Sequence, residues 1–123
     1  MLCIVSPTTD PFFNLAAEEY LFKSFGDDVF FLYINSPSVV VGKHQVAMAE
    51  INPLFVYGND IRVVRRLSGG GAVYHDNGNL NFSFQKTVED TTKISFSDFN
   101  VPVVGLLNQL GVPAVISKRN DIL

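Results

Sequence analysis

Short apolar runs separated by turn residues make up most of the chain, and long amphipathic stretches are few. Such runs, each bounded by Gly, Pro, Asn, Asp or Ser, predict strands at residues 2–5, 29–35, 39–41, 61–66, 72–76, 79–85, 114–117 and 121–123. Many strands with few long helices predict an α/β (or α+β) architecture, in which helices pack against a mixed or antiparallel sheet.

One longer segment near the N-terminus has the features of a helix. Asp10 is a suitable N-cap for a helix that starts at Pro11 and ends at Gly26. A four-residue spacing predicts one apolar face, made of Phe13, Ala17, Leu21 and Phe25. The adjacent Glu18 and Glu19 are expected on the solvated face.

Two further helices are predicted downstream. Asn52-Pro53 opens a short one before the turn at Gly58-Asn59. Residues 101–110 form the other, with Pro102 in its first turn and Gly111 after its end. The polar stretch 87–96 predicts a loop.

Asn77-Gly78 lies between two alternating runs and is the strongest short hairpin signal of the chain. Both residue types tolerate the positive φ of a type I′ turn. A two-residue turn there pairs Asp76 with Asn79, His75 with Leu80, Tyr74 with Asn81 and Val73 with Phe82. Directly paired residues share a face, so one apolar side would contain His75, Val73, Leu80, Phe82 and Phe84. The opposite side would contain Ala72, Tyr74, Asn79, Asn81 and Ser83.

Composition favours one small globular domain. With 123 residues, 47% hydrophobic and 17% charged, the chain has the balance of an ordered protein. A net charge of −3 argues against general nucleic-acid binding. The longest apolar run, residues 29–34, is too short to span a membrane, and no secretory signal is visible. We therefore expect a cytoplasmic protein with neither nucleic acid nor membrane as a partner. The single cysteine, Cys3, makes no internal disulfide and is expected as a small buried strand residue.

The candidate chemistry concentrates in the segment Arg65-Arg66-Leu67-Ser68-Gly69-Gly70-Gly71-Ala72-Val73-Tyr74-His75-Asp76. Three consecutive glycines let a ligand approach the backbone, and successive N–H groups can bind an anion. An arginine fork matches phosphate or carboxylate, and strand alternation predicts that only one of Arg65 and Arg66 enters the site. The segment lacks the Gly-Lys-Ser/Thr ending and precedes a strand, which excludes a Walker loop and a dinucleotide fingerprint. From the glycines alone, a turn without a ligand remains equally open.

Together with Gly78-Asn79-Leu80-Asn81-Phe82-Ser83-Phe84, this segment resembles the signature of lipoate–protein ligases. Three other segments resemble family motifs in the same order: Asn14-Leu15-Ala16-Ala17-Glu18-Glu19-Tyr20-Leu21, Pro37-Ser38-Val39-Val40-Val41-Gly42-Lys43-His44-Gln45 and Arg119-Asn120-Asp121-Ile122-Leu123. A triple glycine is a weak signal, but four ordered motifs are specific. The resemblance implies the catalytic-domain fold that biotin and lipoate ligases share, with residues 1–123 as its N-terminal part.

The resemblance also implies an activity. Lipoate–protein ligases use Mg²⁺ and ATP to convert lipoate to lipoyl-adenylate, and they transfer the lipoyl group to a lysine of a carrier. The carriers are lipoyl domains of 2-oxoacid dehydrogenase complexes or the glycine cleavage H protein. Motif matching implies contacts to ATP and the adenylate for Arg66, Gly71, Ala72, Val73 and Tyr74. It implies that Ser68, His75 and Asn79 line or support the lipoate pocket. No protein metal ligands are expected, because the nucleotide and water can hold Mg²⁺.

One departure from the family concerns the catalytic lysine. The family has this lysine shortly after the motif that matches residues 119–123, and the sequence ends at Leu123. No catalytic residue is therefore expected within these 123 residues, and we expect weak ligand binding and essentially no turnover from them alone. Lys118 precedes the motif and is expected to be a solvated strand-end residue. Asp121 could approach Mg²⁺ or the adenylate, and pairing with Arg119 as a buried carboxylate is an equal alternative. Lys43-His44-Gln45 is expected as an exposed turn slightly more than as a ligand contact.

Two other function classes stay open. A lipoyl or octanoyl transferase uses a cysteine thioester and no ATP. Such relatives tend to have arginine where this chain has Gly71, and the chain has no mid-chain cysteine. A non-catalytic module that binds lipoate or an adenylate is the second alternative. ATP–pyrophosphate exchange separates a ligase from both.

Overall fold

The computed structural model describes residues 1–87, 95, 97–118 and 121–123. They belong to two compact units, residues 1–87 and residues 88–123. Most of the predicted loop at 87–96 lies outside the described residues. Of the helices in the described ranges, none is both long and apolar enough to cross a membrane.

The first unit contains six strands and three helices. The strands are β1 (Leu2–Val5), β2 (Val29–Ile34), β3 (Ser38–Val41), β4 (Arg62–Arg65), β5 (Val73–His75) and β6 (Leu80–Gln85). The helices are α1 (Pro11–Ser24), α2 (Ala47–Glu50) and α3 (Pro53–Gly58). Each strand end lies within one residue of its prediction, and the short helix after Asn52 is confirmed.

The strands form two mixed sheets of three strands each. In the first sheet, β2 lies between a parallel β1 and an antiparallel β6. In the second sheet, β3 lies between a parallel β4 and an antiparallel β5. The predicted fold class, helices with a mixed sheet, is confirmed, with the strands divided between two sheets.

The predicted hairpin register is wrong. β5 pairs with β3, so that His75 lies opposite Ser38, and β6 pairs with β2, so that Asn81 lies opposite Tyr33. A turn does form, because the Asn79 N–H donates to the Asp76 carbonyl at 3.0 Å. Neither Asn77 nor Gly78 has a positive φ, so this is not a type I′ turn. The turn therefore leads the chain from one sheet to the other. The predicted division of these residues between two faces of one hairpin is also wrong, because it depended on that register.

Helix α1 packs against β2, β4 and β6 and joins the two sheets through one core. The buried members of this core are Leu15, Leu21, Val29, Phe31, Tyr33, Val40 and Val64. Residues from both sheets and from the helix contribute, so the burial of apolar surface fixes all three against each other.

The N-terminal cap of α1 is as predicted. Asp10 Oδ1 accepts hydrogen bonds from the N–H groups of Phe12 at 2.8 Å and Phe13 at 3.2 Å. The helix ends at Ser24, two residues before Gly26.

The buried face of α1 differs from the predicted stripe. Phe13 is exposed, Phe25 lies beyond the end of the helix, and Asn14 is fully buried beside Leu15. The Asn14 side of the helix is buried because that amide donates to the carbonyls of Thr8 and Ile34, two partners that the spacing of apolar residues does not encode. Cys3, expected to be buried, is exposed on the edge strand β1.

The second unit contains α4 (Ser97–Gln109), which begins four residues before the predicted start. Pro102 therefore lies inside the helix, where it leaves one intrahelical hydrogen bond unmade. The predicted end is confirmed: Gly111 has a φ of 82° and its N–H donates to the Asn108 carbonyl at 3.1 Å. The Val112 N–H donates to the Leu107 carbonyl at 2.9 Å, which completes a Schellman motif.

The two strands predicted near the C-terminus are reduced to an antiparallel bridge between Ile116 and Ile122. Asp121 is exposed, and its carboxylate accepts a hydrogen bond from the Ser117 hydroxyl at 3.3 Å. Of the two alternatives for Asp121, the buried carboxylate is therefore wrong, and its predicted partner Arg119 lies outside the described residues.

Candidate functional site

The glycine loop, which we define as residues 68–71, follows β4 and is held on one side by the turn at residues 42–45. The Lys43 N–H donates to the Ser68 carbonyl at 2.9 Å. Inside the turn, the Gly42 N–H donates to Gln45 Oε1 at 2.7 Å. Lys43 and His44 are exposed, as expected for a turn, but the turn is also a support for the glycine loop.

Arg65 fastens this turn from the end of β4. Its Nη1 donates to the carbonyls of Gly42 and Gln45 at 2.8 Å each, and to that of Lys43 at 3.3 Å. Three carbonyl contacts to one guanidinium nitrogen indicate a structural role for Arg65 in the turn.

Arg66 reaches the glycine loop itself. Its Nη2 donates to the carbonyls of Gly71 at 2.7 Å and Gly69 at 2.9 Å, and its Nε donates to Gly69 at 3.2 Å. Arg65 therefore contacts the turn at residues 42–45 and Arg66 contacts the glycine loop, which agrees with the alternation of side chains along a strand. Because the carbonyls of Gly69 and Gly71 are directed to Arg66, this guanidinium sets the conformation of the loop.

The three glycines of the loop differ in their backbone conformation and in the space around them. Gly70 has a φ of +96°, a left-handed conformation that disfavours any side chain. A Cβ placed on Gly69 or Gly71 would meet nothing within 4 Å, so the space beside both residues is open. A ligand can therefore approach the backbone at these two positions.

A cleft of about 330 Å³ adjoins the start of the loop. Its lining combines apolar and polar side chains from α1, from β6 and from the segment that follows β4: Glu18, Phe22, Leu67, Ser68, Ser83, Phe84 and Gln85. Leu67 directly precedes the glycine loop and Ser68 is its first residue, so the cleft and the loop are contiguous. An elongated apolar ligand with a polar end next to the loop would fit this lining.

Glu18 is half-buried, so the expectation of a solvated Glu18 was wrong. Burial raises the pKa of its carboxyl, and both a hydrogen bond with Ser83 and the charge of Arg66 oppose that rise. Helical geometry could have found this residue, since position 18 shares a face with the buried positions 14 and 15. Glu19, one position on, instead forms an ion pair with Lys23 near the surface.

His75 is connected to a buried polar cluster. Its Nδ1 lies 3.0 Å from Nδ2 of Asn35, and Asn35 contacts Asn14. Both asparagines are fully buried. Burial lowers the pKa of the His75 imidazole, and the charge of Arg66 lowers it further. Neither asparagine was predicted from the sequence as a contributor to the site.

The structure groups only some of the predicted site residues. Arg66 contacts Gly71 directly, Ser68 lines the cleft with Glu18, and His75 lies within the electrostatic reach of Arg66. Ala72 is half-buried and Val73 is exposed after the loop. By contrast, Asn79 donates to Asn81 at 2.8 Å, and Tyr74 lines a different cavity beside α3.

The residues present fit the phosphate groups of a nucleotide. A guanidinium beside open glycine backbone is a suitable environment for a phosphate anion. In the described ranges, no cluster of three or more His, Cys, Asp or Glu side chains could hold a metal ion. The fold and the site together therefore suit a class of domain whose ligand is anionic at one end and apolar at the other.

Comparison with known families agrees with this class. Residues 10–123 match the family described as "Lipoyl protein ligase A/B catalytic domain". Because the match covers most of the chain, the chain belongs to this family.

Two bacterial relatives are similar over most of the chain. The lipoate-protein ligase LplJ of Bacillus subtilis is 51% identical over 116 residues, which cover 93% of this chain and 35% of the relative. Lipoate–protein ligase 1 of Staphylococcus aureus is 48% identical over 116 residues, with the same coverage of 93% and 35%. The chain thus spans about a third of the length of these curated relatives.

Solved structures share the fold. A bipartite lipoate protein ligase of Thermoplasma acidophilum, described together with its E2 lipoyl domain, superposes with a TM-score of 0.87 at 32% identity, covering 98% of this chain and 49% of that one. A lipoate-protein ligase A bound with ATP superposes with a TM-score of 0.80 at 36% identity, and the match covers 98% of this chain and 52% of that one. LipL1 of P. falciparum in complex with lipoate superposes with a TM-score of 0.82 at 31% identity, and the match covers 98% of this chain and 40% of that one.

Proposed function

We propose that the chain belongs to a lipoate–protein ligase, which activates lipoate with ATP to lipoyl-adenylate and transfers the lipoyl group to a lysine of a lipoyl carrier domain. In the first step, a lipoate carboxylate oxygen attacks the α-phosphorus of ATP and pyrophosphate leaves. In the second step, the lysine amine attacks the acyl carbonyl, loses a proton, and AMP leaves.

The observation that supports this proposal is the continuity between the cleft and the glycine loop. Leu67 and Ser68 line the cleft, and the next three residues are the glycines. Gly69 and Gly71 have open space beside them, and their carbonyls accept hydrogen bonds from Arg66. An acyl chain in the cleft would place its carboxylate near the loop, where the phosphates of ATP would bind. The two reacting groups would then meet at the junction of the two parts.

The positive charge of Arg66 near this junction suits the first step. Negative charge increases on the phosphoryl oxygens as the carboxylate attacks, and fixed donors stabilise it with little reorganisation. Arg66 is the candidate for a cationic donor, and the backbone of Gly69 and Gly71 is accessible to the same phosphates. Ser68 is the candidate for a contact at the lipoate end.

The site contacts of Ala72, Val73, Tyr74, His75 and Asn79 remain part of the proposal. Ala72 and His75 follow the loop on the half-buried side of the chain. Tyr74 and Asn79 face other partners, so their contacts would require a rearrangement on ligand binding.

The cofactor, the carriers and the domain assignment are also proposed. Mg²⁺ would be held by the nucleotide and water, since nucleotide-bound Mg²⁺ needs few protein ligands. The E2 lipoyl domain described with the Thermoplasma ligase supports a lipoyl domain as the carrier, and the glycine cleavage H protein is a second candidate. Residues 1–123 would form the N-terminal part of the catalytic domain, in agreement with the 35% coverage of its relatives.

Calorimetric titration tests the proposal with the 123-residue chain. The ligands are Mg²⁺-ATP, lipoate, and a non-hydrolysable sulfamate analogue of lipoyl-adenylate, with AMP and lipoamide as its separate halves. The analogue should bind more tightly than either half, because it occupies the loop and the cleft together. Binding of ATP separates a ligase from a transferase that uses none.

A matched pair of variants locates the binding site. Gly71→Arg fills the open space beside the loop and should abolish binding of the analogue. Gly26→Arg adds the same side chain at an exposed glycine with open space, at the end of α1, and should leave binding unchanged. Equal affinity of the two variants, or an analogue that binds no better than its halves, would contradict the proposal.

A further inference from the structure

We propose that Asn14 and Asn35 are positioning residues that fix the tautomer of His75, so that its imidazole has its proton on Nε2 and offers that N–H to an oxygen of the ligand. The ligand would be an acyl-adenylate, so this second part rests on the proposed function. The tautomer itself does not, because it follows from hydrogen bonds within the protein.

The orientation of the Asn14 amide is determined by backbone carbonyls. Its Nδ2 lies 3.0 Å from the carbonyl oxygen of Ile34 and 3.2 Å from that of Thr8. Carbonyl oxygens only accept hydrogen bonds, so the nitrogen of the amide has to face them. On the opposite side, Asn14 Oδ1 accepts from the Ser6 hydroxyl at 2.5 Å. A flipped amide would bring its oxygen against two acceptors in a fully buried site.

This orientation determines that of Asn35. Asn14 Nδ2 also lies 2.9 Å from Oδ1 of Asn35, so its two N–H groups are shared among three acceptors. A nitrogen of Asn35 at this place would face another donor, so the oxygen occupies it. The other end of the Asn35 amide is then Nδ2, which lies 3.0 Å from His75 Nδ1. An amide nitrogen only donates, and therefore Nδ1 of His75 has to accept.

A neutral imidazole that accepts at Nδ1 has its proton on Nε2. A doubly protonated ring would direct an Nδ1–H at the Asn35 N–H groups, which adds to the cost of charging it. Burial and the positive charge of Arg66 act in the same direction and lower the pKa of His75. Among the residues that the structure describes, the ring makes no other hydrogen bond.

The consequence is a neutral donor within the electrostatic reach of Arg66. Nε2–H can donate to a carbonyl or phosphoryl oxygen, but the ring has no free lone pair with which to accept a proton from a substrate. His75 would therefore orient or polarise a ligand oxygen and would not act as a general base. Asn14, on α1, and Asn35, after β2, would act only through the imidazole.

Nitrogen NMR of the ligand-free, ¹⁵N-labelled chain tests the tautomer without any variant at the site. The chain has two histidines, and His44→Gln assigns the signals of His75. At neutral pH, Nδ1 should show the downfield shift of an unprotonated nitrogen, and Nε2 the upfield shift of a protonated one. A protonated Nδ1 would overturn the proposal.

Two variants test how the tautomer is fixed. Asn35→Asp replaces the donor by an acceptor and should move the proton to Nδ1 or give an imidazolium, with an upward shift of the titration midpoint. Asn59→Asp makes the same change on the exposed turn after α3 and should leave His75 unchanged. Asn14→Ala frees the Asn35 amide to rotate and should give a mixture of tautomers. A single, unchanged tautomer in folded Asn14→Ala or Asn35→Asp protein would overturn the role of that asparagine.

Addition of the lipoyl-adenylate analogue tests the contact with the ligand. The Nε2–H signal should shift on binding, and Asn35→Asp should weaken binding roughly tenfold, the effect of one hydrogen bond. Binding without any change at Nε2 would overturn the contact and leave the proposed function intact. Absence of binding to wild-type protein would overturn the proposed function, whereas the tautomer measurement would still stand.

Discussion

A Cβ at Gly42 would lie 2.1 Å from the carbonyl oxygen of Gly70, a distance that no side chain can occupy. The two residues are far apart in sequence, yet the turn at residues 42–45 and the glycine loop touch through them. The glycine loop is therefore shaped by a second segment as well as by its own sequence. Substitution of Gly42 should consequently affect the ligand site.

Gly42→Ala should destabilise the protein and weaken ligand binding. The added methyl group meets a backbone carbonyl, so the glycine loop has to move, at a cost of about 1–3 kcal/mol in stability. Chemical denaturation and titration of the adenylate analogue measure the two effects. Gly58→Ala, where a Cβ would meet nothing within 4 Å, is the control. Equal behaviour of the two variants would show that the contact is not rigid.

Arg66→Ala should weaken binding of ATP or the adenylate analogue by about 1.5–3 kcal/mol, because a charge-assisted contact to phosphate is lost. Arg65→Ala should change affinity less and should instead lower stability, since Arg65 fastens the turn at residues 42–45. Calorimetry and denaturation of both variants separate the two roles. If both variants bound these ligands with the affinity of the wild type, the assignment of Arg66 to the ligand would be wrong.

Glu18 should make stability fall as the pH rises. Burial raises the pKa of its carboxyl above the ordinary value of 4.5, so the folded state binds the proton more tightly than the unfolded state. Stability is then lost from about pH 4.5 upward, through the folded-state pKa. At pH values above the folded-state pKa of Glu18, the Glu18→Gln variant should therefore be more stable than the wild type. Below pH 4.5 the two proteins should be equally stable.

Denaturant unfolding at a series of pH values measures this difference. Glu19→Gln, on the same helix, controls for the loss of one negative charge. A constant difference between Glu18→Gln and the wild type at every pH would contradict the prediction.

His75 should titrate below its ordinary value of 6.5, because burial and Arg66 lower its pKa. The unfolded state then binds the proton more readily, so this residue's contribution to stability is lost as the pH falls from 6.5 through the folded-state pKa. Arg66→Gln should raise the midpoint part of the way to 6.5, since burial remains. Proton NMR of the imidazole gives the midpoints. An unchanged midpoint in Arg66→Gln would show that the two side chains do not interact.

Local sequence signals predicted the elements well where the physical cause is itself local. Asp10 caps α1 with its own side chain, and Gly111 ends α4 because a left-handed residue is needed there. Strand positions followed from short apolar runs because β-strands are short and bounded by turns. The glycine loop and its flanking arginines were recognisable because their chemistry is contiguous in sequence.

Partners distant in sequence were not predictable in this way. The turn at Asp76–Asn79 was found, but it joins two sheets, because β3 and β2 offer the edges to which β5 and β6 pair. The burial of Glu18 depends on a cleft shared with β6, and that of Asn14 on carbonyls of Thr8 and Ile34. The sequence by itself determined the elements, the glycine loop and the family resemblance. Only the tertiary structure decided which strands pair, which face of α1 is buried and which hydrogen bonds orient His75, because these depend on groups that the chain brings together only when it folds.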